Sequence, residues 1–413
     1  MKICLFEDTG YAALYPLTYL HPVFELRCGL FTSLERLQHA VGSDMLLQTR
    51  ESLLDVTRER HPAIEVNPDP APDVLYLNAR AVLTTDEMSR VASLHPDIVL
   101  ISGNTPVAFH ARHTDAYSIR DGVLHFNHEN IDQSHIEKIA CVVVSRPWDL
   151  IRLNLEILNN DTAFLPPEIH PTANVSVNAV LEPRNAIRIE AGARIDAGVV
   201  LDASRGSIVI GNNAHVMANT VIIGPVYVGP GSLVKAGAKI YEGTTIGPMC
   251  KVGGEIEESI VQGYSNKQHD GFLGHSYLGE WVNLGADTNT SDLKNNYGPV
   301  RMSTGDAQED TGLRFLGLIA ADHVKAGINS MFNTGTCIGV GANIFGGGYP
   351  PKFIPAFSWG GSDGFKEYEL KRFLQTASIV MKRRGKELTA AEAGLLSSVF
   401  HATSESRKAA INR

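Results

Sequence analysis

From Ile210 an aliphatic residue returns at every sixth position: Val216, Ile222, Val228, Val234, Ile240, Ile246 and Val252. Three residues after several of these beats stands a residue suited to a corner, as at Asn213, Asn219, Gly231, Gly237 and Gly243. The next side chain is small, as at Ala214, Thr220, Ser232, Ala238 and Thr244. Six is neither the 3.6-residue period of a helix nor the 2-residue period of an ordinary strand. It is the hexapeptide period of a parallel β-helix, in which each unit is one short strand and one corner. The aliphatic residue then fills the interior of the coil, and Gly or Asn supplies the backbone freedom of the corner.

The same beat starts earlier, at Ile169, Val175, Leu181 and Ile187, and Ile189, Ile195 and Leu201 resume it after a two-residue slip. Phe272, Leu278 and Leu284 keep it, and Phe332, Ile338 and Ile344 close it. Residues 285–310 lack the period and read as a polar insertion, which solenoids place on one face, often the binding face. The β-helix is therefore expected over residues 166–358. Residues 1–145 have no such period. Lys2 to Phe6 and Val74 to Leu77 read as buried parallel strands, and Thr32 to Val41 as a helix with Thr32 and Glu35 as a capping box. Residues 66–73 read as a surface connection. Alternating strands and helices make this segment an α/β domain over a mostly parallel sheet. Residues 146–165 carry Leu150, Leu153, Ile157 and Leu158 on one face and read as a linking helix, stopped by Pro166-Pro167. Residues 359–413 read as a helical tail, with helices over Phe365 to Lys382 and from Thr389, where Glu392 completes a capping box.

A chain of 413 residues has room for two or three cores, and 44% hydrophobic with 20% charged residues argues against wholesale disorder. The net charge of −9 gives no reason to expect nucleic acid, although a local basic pocket for phosphates is compatible with it. The short run Lys382-Arg383-Arg384 reads as a solvated helix end. No apolar run reaches the length of a membrane span, and the first ten residues read as a strand rather than a signal peptide. Five scattered cysteines without a CxxC pair suit a reducing cytoplasm.

The densest polar stretch, residues 265–279, lies inside the solenoid yet contains Lys267, His269, Asp270 and His275. A neutral imidazole oriented by a carboxylate or carbonyl suits a general base for an attacking amine or hydroxyl. The plainer alternative makes both histidines water-facing corner residues; two of them beside an insertion favour function.

On the segments at 6–29, 145–150, 265–298 and 327–361, the chain resembles a divergent bacterial branch of the bifunctional N-acetylglucosamine-1-phosphate uridylyltransferase/glucosamine-1-phosphate N-acetyltransferase family. The resemblance implies an α/β nucleotidyltransferase-like domain, a left-handed parallel β-helix and a C-terminal helical tail. It implies a homotrimer with the acetyltransferase site between neighbouring subunits and a role in sugar-nucleotide synthesis toward UDP-N-acetylglucosamine. His269 falls on the family's catalytic base. Asn283 falls on its substrate-site Asn, Asn296-Tyr297 on its Asn-Tyr pair, and Lys235 where an Arg holds the sugar phosphate. Ala326, Gly346 and Gly347 would line the acetyl-CoA groove. Phe272 replaces a Tyr near the base, and Glu257 replaces a phosphate-binding Lys, so one cation is exchanged for an anion. In the first domain the Gly-rich loop reads Glu7-Asp8-Thr9-Gly10-Tyr11 and the usual Gly-Asp becomes Asn78-Ala79-Arg80. Asp8 for Mg²⁺ and Arg27 for the triphosphate are the nucleotide-binding candidates; the alternative for Arg27 is a local structural pairing, and no metal ligand set is assigned.

Three functions follow. The first is acetyl transfer from acetyl-CoA to an amino-sugar phosphate such as glucosamine-1-phosphate, with an attached and eroded nucleotidyltransferase domain. The second places the main chemistry in the first domain, joining a sugar phosphate to a nucleoside triphosphate with Mg²⁺. The third is a non-catalytic trimeric scaffold for sugar nucleotides.

Overall fold

The computed structural model describes residues 2–411 apart from 43, 72, 113–115 and 306. Position 72 of the 66–73 connection and position 306 of the insertion thus lie outside the described residues. The chain divides into two compact units: residues 1–26 with 31–149, and residues 27–30 with 150–413.

The first unit is built on a seven-stranded sheet. Ile3–Phe6 lies between Met45–Gln48 and Leu75–Asn78, parallel to both. Thr105–His110 is the antiparallel member, pairing with Leu75–Asn78 and with Val99–Ser102. Central strands buried on both faces read as continuous apolar runs, which is why ICLF and LYL are legible without alternation. The helix Ser33–Val41 begins in the expected capping box of Thr32 and Glu35. The sheet covers an aromatic cluster in which Phe6, Tyr76 and Phe109 are in contact.

The second unit is a parallel β-helix. Its strands sort into three long sheets in which successive coils pair in parallel, one sheet for each side of the coil. All eight beats from Ile210 to Val252 are fully buried inside it. Each contributes roughly 1.5–3 kcal/mol of apolar burial. Asn213, Asn219, Gly231, Gly237 and Gly243 all take positive φ at corners. The small residue after a corner closes the turn: Ser232 Oγ donates to Gly247 O (2.7 Å) and accepts from Cys250 N (2.9 Å).

The periodic reading needs three corrections. Leu273, not Phe272, is in register with the inward Ile256, because Leu273 precedes the inward Leu278 by five residues rather than six. The insertion starts later than position 285: Asn289–Thr290 is still a coil strand, paired with Met331–Phe332, and the excursion beyond it holds the hairpin of Arg301–Ser303 and Gln308–Asp310. Finally, Gly364–Glu367 is a strand, not the start of a helix. It pairs antiparallel with Ser358–Gly361 and so covers the edge that the last coil would leave open.

The helix read as a linker, observed at Pro147–Asp161, is fastened to the β-helix. Buried Asn154 accepts from Gly29 N (2.7 Å) and donates to Gly243 O (2.7 Å). The tail forms the helices Leu370–Lys382, Ala390–Ala402 and Ser404–Ile411. Arg407 anchors it, fully buried, donating to Glu367 and to the carbonyls of Ala356 and Phe400, with its guanidinium 4.1 Å from the Phe400 ring. Among the described residues no helix is long and apolar enough to cross a membrane.

Candidate functional site

The corner that follows the strand Asn266–Lys267 carries His269 into solvent. Lys267 occupies the inward position opposite Val252, where the period calls for an aliphatic side chain. Its Nζ donates to the carbonyls of His269 (2.5 Å) and Gly253 (3.2 Å). Burial pushes this ammonium down to about 8, against the opposing pull of Asp270 and Asp287. Gly254 sits under the turn at φ +76°, and a Cβ there would stand 2.7 Å from the His269 carbonyl oxygen. On the far side Phe272 N donates to Asn289 Oδ1 (2.9 Å) and Asp287 N to Asp270 O (3.1 Å). The turn that carries His269 is thus held by Lys267 beneath it and by the next coil through Asp270 and Phe272, while the His269 ring is exposed.

His275 has a different fate. Its Nδ1 donates to Asp292 Oδ2 at 2.8 Å, Nε2 faces Glu258 Oε2 at 3.4 Å, and Phe315 stacks on the ring at 5.0 Å. Burial opposes its charge, but the hydrogen bonds to Asp292 and Glu258 outweigh burial and raise its pKa to about 9. Asp292 orients the His275 ring and, with Glu258, favours its charged form, whereas the His269 ring stands exposed on its corner. Glu257, whose carboxyl is raised first by burial, belongs to this acidic surround.

Beside His269 the coil face displays Leu233, Lys251, Asn266, Asn283 and Lys325 in register. Asn266 Nδ2 donates to Asn283 Oδ1 at 3.3 Å. Lys325 donates to Trp281 O, and burial pushes it down to about 7. Lys235 lies half-buried one residue beyond the strand Leu233–Val234. Asn296 and Tyr297 sit in the insertion, where Asn296 Oδ1 accepts from Gly298 N (3.1 Å) and Tyr297 has φ +56°. Among the described residues no hydrogen bond joins either of them to His269 or Asn283. Ala326 points its methyl into the core, so only its backbone is offered to a ligand, whereas Gly346 and Gly347 face open space.

In the first unit, Asp8 caps the turn after Ile3–Phe6. Its carboxylate takes a bidentate pair from Arg80 (2.6 and 2.5 Å), a hydrogen bond from Asn78 (2.9 Å) and one from Gly10 N (3.0 Å). A cleft of about 330 Å³ lies at the carboxyl ends of Ile3–Phe6 and Met45–Gln48, where Thr9, Tyr11, Arg50, Arg120 and His125 line it together with the carboxylates Glu51 and Asp121. Arg50 is paired with Glu7 (2.6 Å) and lies 4.4 Å from the Tyr11 ring. Arg27 is part of the second unit: its N–H donates to Gln262 (2.8 Å) and to the Tyr277 hydroxyl (3.2 Å), and its guanidinium to Leu30 O.

Residues 3–168 match the family model described as sugar nucleotidyl transferase, and residues 207–242 match six repeats of the bacterial transferase hexapeptide. A bifunctional sugar-1-phosphate nucleotidylyltransferase/acetyltransferase of Sulfurisphaera tokodaii is 26% identical over 210 residues, covering 49% of this chain and 44% of that protein. The bifunctional protein GlmU of Methanococcus aeolicus is 28% identical over 207 residues, 48% of this chain and 43% of that protein. The chain is similar to the bifunctional nucleotidylyltransferase/acetyltransferases. It spans less than half the length of these two curated relatives. A third, GlmU of Rippkaea orientalis, is 31% identical over 131 residues, 30% of this chain and 27% of that protein.

The nucleotidylyltransferase half of this family resemblance implies Mg²⁺, and Asp8 does not fit that ion as it stands. Both of its oxygens are already used by Arg80, which brings a positive charge of its own. Among the described residues no group of three or more His, Cys, Asp or Glu is arranged to hold a metal. Arg50 and Arg120 were missed by the sequence reading. The signal that would have found Arg50 is its place just past a central parallel strand, where open α/β sheets bind ligands.

Proposed function

We propose that the β-helix transfers an acetyl group from acetyl-CoA to the amine of an amino-sugar phosphate resembling glucosamine-1-phosphate. His269 removes the proton as the amine attacks the thioester carbonyl, and the bond to sulfur breaks to release CoA. Asn283 orients the sugar and Lys235 its phosphate, with Asn296 and Tyr297 contributing from the insertion. The backbone at Ala326 and the open surface at Gly346 and Gly347 offer room for the CoA chain. The observation that carries this reading is His269 itself: an exposed ring on a turn that Lys267 and Gly254 hold fast. Holding amine and thioester in line supplies much of the rate, and the base roughly 10²–10⁴-fold. The chain acts as a homotrimer in this reading, which the exposed Ile328, Met331 and Phe345 favour and sedimentation checks. The test of the chemistry is thiol release from acetyl-CoA with glucosamine-1-phosphate. His269→Ala is expected to lose it; undiminished release would refute the role of His269.

A second reading concerns the first unit, where Arg50 and Arg120 beside the cleft favour a nucleoside triphosphate or sugar nucleotide. Pyrophosphate release from UTP or dTTP with a sugar 1-phosphate, lost in Arg120→Ala, is its expected signature.

A further inference from the structure

The basic run at the end of Leu370–Lys382 is not simply solvated. The chain turns at Gly385 (φ +70°), where Gly385 N donates to Lys382 O (3.0 Å) and Lys386 N to Met381 O (3.1 Å). This turn lays Arg384 on the face of the β-helix that carries the candidate site, and its Nη2 donates to Asn266 Oδ1 at 2.6 Å. Asn266 stands three residues before His269 in the same coil and is in register with Lys251. Neighbouring strands lie about 4.8 Å apart, so Arg384 reaches the surroundings of Lys251 directly. The base of Lys235 packs against Gly253, whose added Cβ would meet Lys235 Cβ at 3.0 Å. Lys386 follows, with Nζ 5.9 Å from the centre of the Tyr264 ring.

Four cations therefore converge on one stretch of coil: Lys235, Lys251, Arg383 and Arg384. Lys251 is pushed down first by burial and then by the charges of Arg384, Arg383 and Lys235. Arg384 is lowered by burial too, with Arg383 adding to the effect. Among the described residues none of the four forms an ion pair. Like charges gathered together raise the energy of the fold, and a bound anion removes that repulsion.

We propose that Arg383 and Arg384 of the C-terminal tail, with Lys251 and Lys235, form a binding site for a phosphate or diphosphate ester beside His269. This deepens the acetyl-transfer reading and rests on it for the identity of the neighbouring chemistry. The tail then supplies the positive charge that the coil gives up at Glu257, whose carboxylate faces His275 and Asp292 instead. A guanidinium at the end of a helix presents paired donors that match phosphate oxygens, and two of them flanking two lysines suit a doubly or triply charged group.

The test is titration calorimetry on the full chain with glucosamine-1-phosphate, CoA and UDP as separate probes. The wild type is compared with Arg383→Gln/Arg384→Gln and, in case that pair disturbs the tail, with Lys251→Gln alone. At least one probe should bind the wild type and lose about 10- to 100-fold in affinity in both variants, as removal of charged hydrogen-bond donors predicts. The loss should shrink as salt is raised. Loss for glucosamine-1-phosphate assigns the site to the acceptor, loss for CoA to the donor, and loss for UDP to a nucleotide-linked sugar. If no probe binds, or if every probe binds variants and wild type alike, the site does not exist. His269→Ala separates this from the chemistry: it should bind all probes as the wild type does while losing thiol release. Retained release with the binding losses intact would remove His269 from the reaction and leave the anion site standing.

Discussion

Replacing Lys267 by Met should make the β-helix more stable at neutral pH and less stable at alkaline pH. The ammonium stands in an aliphatic column, 1% exposed, with Val252 opposite and two backbone carbonyls as its acceptors. A lysine in the unfolded chain titrates near 10.4, whereas burial pushes Lys267 down to about 8. Between those values the unfolded chain holds more protons than the folded one. Stability of the wild type therefore rises as pH increases from about 8 to about 10.4, by up to about 3 kcal/mol. Below pH 8 the full penalty is present. Methionine matches the length of the stem and has no charge to desolvate. It forfeits the two hydrogen bonds, whose loss costs roughly 1–2 kcal/mol because water can reach the His269 carbonyl at the exposed turn. The balance at pH 7 is a gain of about 1–2 kcal/mol, or a rise in Tm of roughly 2–4 °C for a unit of this size. Near pH 10.5 the gain is gone and the variant becomes the weaker protein. Thermal unfolding followed by circular dichroism at both pH values measures this. A variant that is less stable at pH 7, or whose difference from wild type does not change with pH, refutes the account of Lys267 as a costly buried charge. Acetyl transfer should move the opposite way, because the His269 turn loses its tether: a displacement of about 1 Å at a reacting group costs on the order of 10²-fold.

Two further predictions rest on paired charges. His275 is raised to about 9 in the fold, so the stability it contributes is fully present below about 6.5 and is lost as pH rises through 9. Unfolding of His275→Gln should therefore show a deficit of up to about 3 kcal/mol at pH 6 that disappears by pH 10; a deficit independent of pH would remove the imidazolium from the explanation. Arg80→Ala leaves the Asp8 carboxylate buried without its partner and should cost the first unit about 3–5 kcal/mol in urea unfolding. Excess Mg²⁺ should restore part of that stability in the variant and none in the wild type; an equal response in both would show that Arg80 does not exclude the ion.

The β-helix was legible because its interior imposes one demand on every coil. A narrow core accepts an aliphatic side chain every sixth residue, and a corner accepts positive φ, so the requirement is written locally and repeated. Phe272 marks where this reading breaks. The coil between Val252 and Lys267 is three residues shorter than the coils before it, and Leu273 takes the inward place. A period can be extrapolated only while coil length is constant. The first unit was legible for a different reason, since strands buried on both faces write continuous apolar runs. The antiparallel Thr105–His110 could not be read, because strand direction depends on pairing rather than on composition.

The site was less legible because its decisive contacts join distant parts of the chain. The 265–279 stretch announced itself by its polarity, but nothing local distinguishes His269 from His275. The distinction comes from Asp292 and Glu258, each 17 residues from His275. Asp8 was read as the candidate for Mg²⁺, yet Arg80, 72 residues away, takes both of its oxygens. Arg27 was read with the first domain around it, but residues 27–30 belong with the β-helix, and Gln262 and Tyr277 fix its backbone. Arg384 is the clearest instance. In sequence it ends a helix and looks solvated; in the fold it reaches Asn266, 118 residues earlier, and adds its charge beside Lys251. Sequence periodicity reports what the solvent and the core require of each residue. It does not report which charges the fold will place side by side, and in this chain those juxtapositions decide which histidine is free and where an anion would be held.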